Sequence, residues 1–209
     1  MESVTVSSWE TNSYFLGADF GDECVVIDPG ITGFKKISAK LQKMNRKPVA
    51  VLCTHGHIDH IGDAAILADH YQIPVYIHSE DQHLLTKPAD AFPPQYLPML
   101  VELMGGVELS PPNQVRNYSA NQSLELAGVT IEPLFAPGHT PGSTLLKCAD
   151  LVFTGDVLFA GSIGRMDLPG GSEVKMRETI KTVFPKIADE AKLLPGHGPA
   201  STMAQEWAT

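Results

Sequence analysis

Three histidines and an aspartate stand within the six residues 55–60 (HGHIDH). So many imidazole and carboxylate groups are costly to bring together unless a cation organises them. Because side chains at positions i and i+2 of an extended segment point the same way, His55 and His57 can bind one ion together. Asp59 and His60 are displaced towards a neighbouring ion. Nitrogen and oxygen ligands without thiolate suit zinc, with iron or manganese as alternatives.

Three further polar residues follow apolar runs in glycine-rich turns. They are His139 in FAPGHT, Asp156 in FTGD and His197 in LPGHG. Ligands at strand ends can converge on one edge of a sheet, and glycine lets the backbone come close to an ion. With the first cluster they make five histidines and two aspartates, enough for two divalent ions with positions left for water and substrate. Two ions about 3.5–4 Å apart can share a water and bring its pKa near neutrality, which is the chemistry of metal-assisted hydrolysis.

Other polar residues have supporting or ordinary roles in this interpretation. Thr54, Thr140 and Asp28 are candidates to fix the imidazole tautomers or the metal loops, with turn capping as the alternative. The remaining histidines are expected to be solvated or capping groups: His70, His78 and His83.

Composition excludes several classes of partner. The net charge of −9, from 15 basic and 24 acidic side chains, disfavours nucleic acid, whose phosphates need a basic patch. The chain has no apolar run of about 18 residues and no signal-peptide pattern at its beginning, so we expect no membrane partner. Cys24, Cys53 and Cys148 lie in apolar runs and are interpreted as reduced core residues of a cytoplasmic protein. A small-molecule substrate and a monomer or small homo-oligomer are expected.

Strands and helices that alternate along the chain must position these residues. Apolar runs predict strands at 4–6, 13–16, 23–28, 49–53, 75–77, 124–126, 129–135, 143–147, 151–154 and 191–194. Helices are predicted at about 34–44, 64–71, 95–104 and 173–184, the last with Ser172 as N-cap. This mixture predicts two packed sheets with helices outside. Residues 1–209 are expected to form a single domain, in which an irregular insertion at about 79–115 is either a lid or pocket wall or a plain surface insertion.

The order of the motifs resembles the metallo-β-lactamase superfamily over nearly the whole chain. The H-x-H-x-D-H motif, followed by His139, Asp156 and His197, carries the resemblance. It implies an α+β fold, a four-layer αββα sandwich with the metals at one edge of the two sheets. It also implies a division of the ligands: His55, His57 and His139 for the first ion, Asp59, His60 and His197 for the second, and Asp156 as the bridge.

Within that superfamily, residues 156–171 (DVLFAGSIGRMDLPGG) resemble the short bacterial type of glyoxalase II, the hydroxyacylglutathione hydrolases. Two features differ from that enzyme. Met166 stands where this type commonly has threonine, and only twelve residues follow His197, whereas longer glyoxalase II enzymes have a C-terminal helical domain that helps hold glutathione. Zinc β-lactamases generally lack the bridging aspartate, so antibiotic hydrolysis is not expected.

The resemblance implies a dinuclear hydrolase that cleaves a thioester such as S-D-lactoylglutathione. Asp59 would be the catalytic residue that orients the attacking water and receives its proton. Arg165 and Asp167 are candidates for substrate binding, with a salt bridge between them as the alternative. The rival functions are a mononuclear iron persulfide dioxygenase, a lactone hydrolase of the same superfamily, and a non-enzymatic metal-binding adaptor.

Overall fold

The computed structural model describes residues 1–104, 108–119 and 122–208. Its strands form two six-stranded sheets and one short hairpin. Within the described residues, none of the helices has the length and apolar content needed to cross a bilayer.

The first sheet contains the amino-terminal strands in chain order. These are β1 (Glu2–Val6), β2 (Thr11–Leu16), β3 (Glu23–Ile27), β4 (Lys47–Leu52), β5 (Val75–Ile77) and β6 (Val115–Asn117). The first three strands pair antiparallel, and β3 to β6 pair parallel. The carboxyl ends of β3, β4 and β5 therefore meet at one edge.

The second sheet has the order β14-β13-β10-β9-β8-β7. Its strands are β7 (Leu124–Leu126), β8 (Val129–Phe135), β9 (Thr144–Cys148), β10 (Leu151–Gly155), β13 (Lys192–Pro195) and β14 (Ser201–Thr202). The separate hairpin consists of β11 (Leu158–Phe159) and β12 (Ser162–Ile163). Because β10 and β13 are parallel neighbours, the residues that follow them emerge side by side.

Within the part of the chain that the structure describes, six α-helices accompany the sheets. They are α1 (Phe34–Met44), α2 (Ile58–Ile61), α3 (Ala64–Tyr71), α4 (Leu97–Met104), α5 (Glu173–Thr182) and α6 (Met203–Trp207). Helix α1 ends at Asn45 in the left-handed conformation (φ 52°), and the side chain of Ser172 caps α5 as predicted.

The sheets and helices stack in four layers, which confirms the predicted αββα sandwich. Successive side chains of a strand point to opposite faces of its sheet, so neighbouring residues pack in different layers. Leu52 packs with Phe153 between the sheets, whereas Val51 packs against the side chains of α1 and α3. On the far side, Val152 packs with buried side chains of α5 and α6. The core therefore fixes both sheets against each other and holds their edges in place.

Backbone hydrogen bonds join the two sheets at the edge where the polar motifs emerge. The amide of Asn12 in the first sheet donates to the carbonyl of Gly196 at 2.7 Å. The amide of Thr144 in the second sheet donates to the carbonyl of Thr54 at 2.8 Å. The turns after β4 and β13 are thus held by the opposite sheet.

Most predicted elements are present, and their differences from prediction are local. Strand β4 begins at Lys47 rather than 49, and its pairing with β3 shifts register after Pro48. Proline lacks an N–H, so a register shift is the expected way to include it in a ladder. Within 79–115 the segment forms 3-10 helices and α4, and Leu100 of α4 packs on Ile31 and Ile58. Residues 105–107 of the insertion lie outside the described residues.

Candidate metal centre

Three buried histidines form the first polar group at this edge. His55 and His57 lie in the turn after β4, and His139 lies in the turn after β8; their exposed fractions are 1%, 4% and 3%. Their ring centroids are 4.9, 4.8 and 4.5 Å apart. One nitrogen from each ring lies within 4.8 Å of the others. The structure therefore brings together the three residues expected to share the first ion.

Hydrogen bonds determine the tautomer of His139. Its Nδ1 lies 2.8 Å from the carbonyl oxygen of Arg165, which can only accept, so Nδ1 carries the proton. Nε2 of His139 is then unprotonated, with a free lone pair, and it lies 2.8 Å from Nδ1 of His57. In the absence of a cation His57 must donate to it, whereas a cation would allow both nitrogens to act as ligands.

Asp28, at the end of β3, orients histidines of both groups. Its Oδ2 accepts hydrogen bonds from the Thr54 hydroxyl at 2.7 Å and from His60 Nδ1 at 2.9 Å. Because the Thr54 hydroxyl proton is donated to Asp28, Oγ1 of Thr54 accepts a hydrogen bond from His55 Nδ1, which is 3.1 Å away. These bonds occupy Nδ1 of both histidines and leave Nε2 of each ring as the nitrogen available to a cation, so the predicted supporting roles of Asp28 and Thr54 agree with the geometry.

Asp59, His60, Asp156 and His197 form the second group. His60 Nε2 lies 3.3 Å from both His197 Nε2 and Asp156 Oδ1, and Asp59 Oδ2 lies 3.0 Å from His197 Nε2. The other oxygen of Asp156 is 3.8 Å from His139 Nε2 in the first group and 3.7 Å from His197 Nε2. Asp156 therefore faces both groups, which is the position required of a bridging ligand.

Several buried atoms of these groups have no hydrogen-bond partner among the described residues. They are Nε2 of His55, Nε2 of His57 and Oδ1 of Asp156. A buried polar atom without a partner is costly, and such atoms are uncommon in folded proteins. Imidazole nitrogens and carboxylate oxygens are ligands for divalent transition metals. The donor set, with the unsatisfied Nε2 of His55 and Oδ1 of Asp156, therefore fits a pair of cations, whereas His57 would ligate through Nδ1.

Burial keeps the first group neutral. It lowers the pKa of His55 well below its usual value and that of His57 to about 3, and neighbouring histidines lower both further. Burial also lowers the pKa of His139. Neutral imidazole is the form that ligates a metal, so these rings need lose no proton near pH 7.

The second group is strongly charged. Burial alone would lower the pKa of His60, but Asp156, Asp59 and Asp28 raise it well above the usual value. Burial alone would raise the pKa values of Asp59 and Asp156, but the charges and hydrogen bonds of His60 and the neighbouring histidines together outweigh it, and both pKa values are lowered. Without metal, a protonated His60 thus partly neutralises the carboxylates, and a cation would take over that role.

The predicted substrate residues are exposed and bind each other. Arg165 donates two hydrogen bonds of 2.7 Å to the carboxylate of Asp167, and both side chains are more than half exposed. The salt bridge proposed as the alternative is therefore present. The backbone of Arg165 has a further role that the sequence did not suggest, since its carbonyl orients His139.

Two residues of the 79–115 segment approach the first group without having been predicted. The ring of Phe92 lies 5.8 Å from that of His57, between centroids. The carboxylate of Asp81 contacts the loops of His57 and His139. Asp81 follows the apolar strand β5, so it has the same strand-then-polar pattern as the ligands, but no glycine precedes it. That pattern was the one signal that could have found it.

The remaining sequence predictions near the site concern Thr140, His78 and the cysteines. Thr140, proposed to fix an imidazole tautomer or a metal loop, donates its hydroxyl proton to Asp81 at 2.7 Å, which agrees with the loop alternative. His78 caps the 3-10 helix Ser79–Leu85, because its Nδ1 accepts a hydrogen bond from the backbone amide of Glu80. All three cysteines are buried and free, which confirms the core prediction.

The sequence matches the family model of the metallo-beta-lactamase superfamily over residues 8–202. The chain belongs to this superfamily. The family-level resemblance is thereby confirmed, and membership supports a metal-dependent hydrolase.

Relatives within the superfamily include characterised and uncharacterised proteins. The probable metallo-hydrolase YqgX of Bacillus subtilis is 35% identical, with 97% of this chain and 92% of the relative covered. The hydroxyacylglutathione hydrolase GloC of Haemophilus influenzae is 29% identical, with 99% and 94% covered.

Solved structures of the superfamily superpose over nearly the whole chain. The B3 metallo-beta-lactamase BLEG-1 has a TM-score of 0.85 and 31% identity, with 100% of this chain and 96% of that chain covered. TTHA1623, crystallised in a di-iron-bound form, has a TM-score of 0.82 and 33% identity, with 100% and 98% covered. ETHE1 from Myxococcus xanthus, at 22% identity and a TM-score of 0.78 with 98% and 80% covered, shares the fold alone.

Proposed function

We propose that this superfamily member is a dinuclear metal-dependent hydrolase that cleaves a small thioester. The observation that carries the proposal is the position of Asp156, whose carboxylate faces a complete three-histidine group on one side and Asp59, His60 and His197 on the other. A structure built for one ion would not need the second set of ligands.

The side chains divide between two ions in this proposal. His55, His57 and His139 hold the first, Asp59, His60 and His197 hold the second, and Asp156 is shared. Bound there, two divalent cations would polarise a substrate carbonyl and lower the pKa of a water towards neutrality. We propose zinc because the donors are nitrogen and oxygen without thiolate. The di-iron form of TTHA1623 makes iron the first alternative, and manganese remains another.

Asp59 is the proposed catalytic residue. Its Oδ2 is oriented by His197 at 3.0 Å, and its carboxylate is held ionised because His60 and His197 lower its pKa. An ionised carboxylate at this position can accept a hydrogen bond from the attacking water, orient it and take up its proton.

Apolar side chains lie beside the first group, and the backbone of Arg165, which forms an exposed pair with Asp167, contacts His139. Phe92 lies beside His57, and α4 is fixed to the motif by the contact of Leu100 with Ile58. These contacts support a pocket wall in the segment 79–115. Arg165 is the proposed contact for a substrate carboxylate, which it could bind in exchange for Asp167.

Two comparisons support different scissile bonds. Similarity to GloC over 99% of the chain favours a thioester such as S-D-lactoylglutathione. Similarity to BLEG-1 favours a β-lactam as the second candidate, although the bridging aspartate led us not to expect antibiotic hydrolysis. A lactone would be attacked by the same carbonyl chemistry.

One experiment tests the proposal. The purified protein, as isolated and after loading with zinc, is assayed with S-D-lactoylglutathione, a panel of other thioesters, lactones and a β-lactam. Metal content and oxygen uptake are measured on the same samples. We expect about two zinc ions per chain and turnover of thioesters above lactones and β-lactams. One iron per chain with oxygen uptake would instead establish the dioxygenase, and a β-lactam preference would refute the thioester.

A further inference from the structure

Asp81 is a buried carboxylate that belongs to neither ligand group. It lies in the 3-10 helix Ser79–Leu85 after β5 and is 0% exposed. Its oxygens accept three hydrogen bonds, from the amide of Gly56 at 2.8 Å, the hydroxyl of Thr140 at 2.7 Å and the amide of Gly142 at 2.8 Å. All three donors are neutral groups, so the carboxylate acts here as an acceptor rather than as half of an ion pair.

The three donors lie in the two loops that carry the first group. Gly56 separates His55 from His57, and Thr140 directly follows His139. These loops are far apart along the chain, and Asp81 is 25 residues from the first and 59 from Thr140 in the second. One side chain therefore ties together the backbone that places all three imidazoles.

The close approach of Asp81 also explains two glycines of these loops. A Cβ added at Gly142 would lie 2.5 Å from Cγ of Asp81, and one added at Gly56 would lie 3.0 Å from its Cβ and 2.6 Å from Cδ1 of Leu84. Any larger residue would push its loop away from the carboxylate. Both loops are thus shaped to fit against Asp81.

We propose that Asp81 is a positioning residue that holds the three-histidine group in the geometry for binding a metal ion. The proposal rests on the proposed function, since it assumes that His55, His57 and His139 ligate one ion. A carboxylate suits this position because all three neighbours donate, and it can accept from each of them.

Substitution by asparagine preserves shape but not acceptor number. Oδ2 accepts from Gly56 and Thr140, and Oδ1 accepts from Gly142. An amide oxygen can replace one of these oxygens, and its NH₂ then faces a donor at the other. With its oxygen at the Oδ2 position, Asp81→Asn keeps the bonds from Gly56 and Thr140 and loses the bond from Gly142, whereas Asp81→Ala loses all three.

Asp63 provides a matched control. It is also a buried aspartate, 7% exposed, whose Oδ2 accepts a backbone amide, that of Phe34 at 2.8 Å. The Phe34 amide lies at the start of α1, and this helix contains no candidate metal ligand. Because an amide oxygen can accept this one bond, Asp63→Asn removes a buried carboxylate without removing its hydrogen bond, and it should leave both ion sites unchanged.

The test compares the full-length wild type with Asp81→Asn, Asp81→Ala and Asp63→Asn. Zinc stoichiometry and affinity are measured by competition with a chromogenic chelator, cobalt absorption spectra report the ligand geometry, and thermal unfolding of the metal-free proteins reports stability. We expect Asp63→Asn to bind two zinc ions per chain with the same affinities as the wild type. Asp81→Ala should bind one ion normally and the other about 10- to 100-fold more weakly, with Asp81→Asn in between.

Several outcomes overturn the proposal. If Asp81→Ala, or Asp81→Asn should the alanine variant not fold, binds both ions with wild-type affinity, Asp81 does not position the histidines. If affinity falls equally at both sites, or equally in Asp63→Asn, the role of Asp81 is only structural. A wild type that binds no pair of ions would refute the proposed function itself, independently of the variants.

Discussion

Replacing Thr54 with valine tests how the tautomer of His55 is fixed. Valine has nearly the same shape but removes the hydroxyl oxygen that lies 3.1 Å from His55 Nδ1. It also removes the donor to Asp28, which keeps its hydrogen bonds from the backbone amide of residue 54 and from His60. The newly unsatisfied group is therefore the Nδ1–H of His55, a residue only 1% exposed.

The size of the effect follows from this single lost acceptor. An unsatisfied buried donor costs about 1–3 kcal/mol, and each kcal/mol lowers the Tm of a chain of this length by about 2–4 °C. His55 could relieve the loss by moving its proton to Nε2, but that nitrogen could then no longer bind a metal. In either case we expect the affinity of the first group for its ion to fall by about 10- to 100-fold, which corresponds to about 1.4–2.8 kcal/mol.

The assay measures zinc affinity by chelator competition at one pH and the Tm of the metal-free protein by calorimetry. Thr54→Ser is the control, because it keeps the hydroxyl and loses one methyl group, and it should retain wild-type zinc affinity. If Thr54→Val bound both ions as tightly as Thr54→Ser, the hydroxyl would not determine the tautomer and this reasoning would be wrong.

Three further predictions concern other residues of the site. Asp59→Asn should lower the turnover of the preferred substrate by about 10²- to 10⁴-fold, as expected for a lost general base; full activity with full metal content would exclude its catalytic role. Zinc binding to the second group should weaken as pH falls, because His60, with its raised pKa, must lose a proton to bind, whereas the neutral first group should bind with little pH dependence near pH 7. Calorimetry in buffers of different ionisation enthalpy measures the protons released, and equal release from both groups would contradict this assignment. The pKa of Asp167, lowered to about 2 by its hydrogen bonds from Arg165, should rise in Arg165→Gln; an unchanged NMR titration of the Asp167 carboxyl would show that the pair does not form in solution.

The ligands could be predicted from the sequence because their chemistry is local. His55, His57, Asp59 and His60 are neighbours along the chain, and the other three share a strand-then-glycine context. Their partition into two groups depends on which strand ends meet, in particular on the parallel pairing of β10 and β13. The spacing separates His55 and His57 from Asp59 and His60, but it does not assign the other three ligands, whose division came from the family resemblance.

The residues that support the ligands were harder to predict. Asp28 could be proposed because it closes an apolar strand, but its contact with His60 spans 32 residues. Thr140 was proposed to fix an imidazole tautomer or a metal loop, but its partner Asp81 was not predicted, because only the fold brings the 3-10 helix after β5 beside its loop. Short elements were missed for a related reason. Strand β14 has two residues, and so short a strand depends on pairing with its neighbour rather than on its own pattern.

The central claim is that seven side chains hold two cations, one of them among the three histidines. Anomalous diffraction at the zinc absorption edge, from crystals of the zinc-loaded protein, tests it most directly. We predict two anomalous peaks, one within bonding distance of His55, His57 and His139 and one beside Asp59, His60 and His197, with Asp156 between them. A single peak, or none among these residues, would contradict the account.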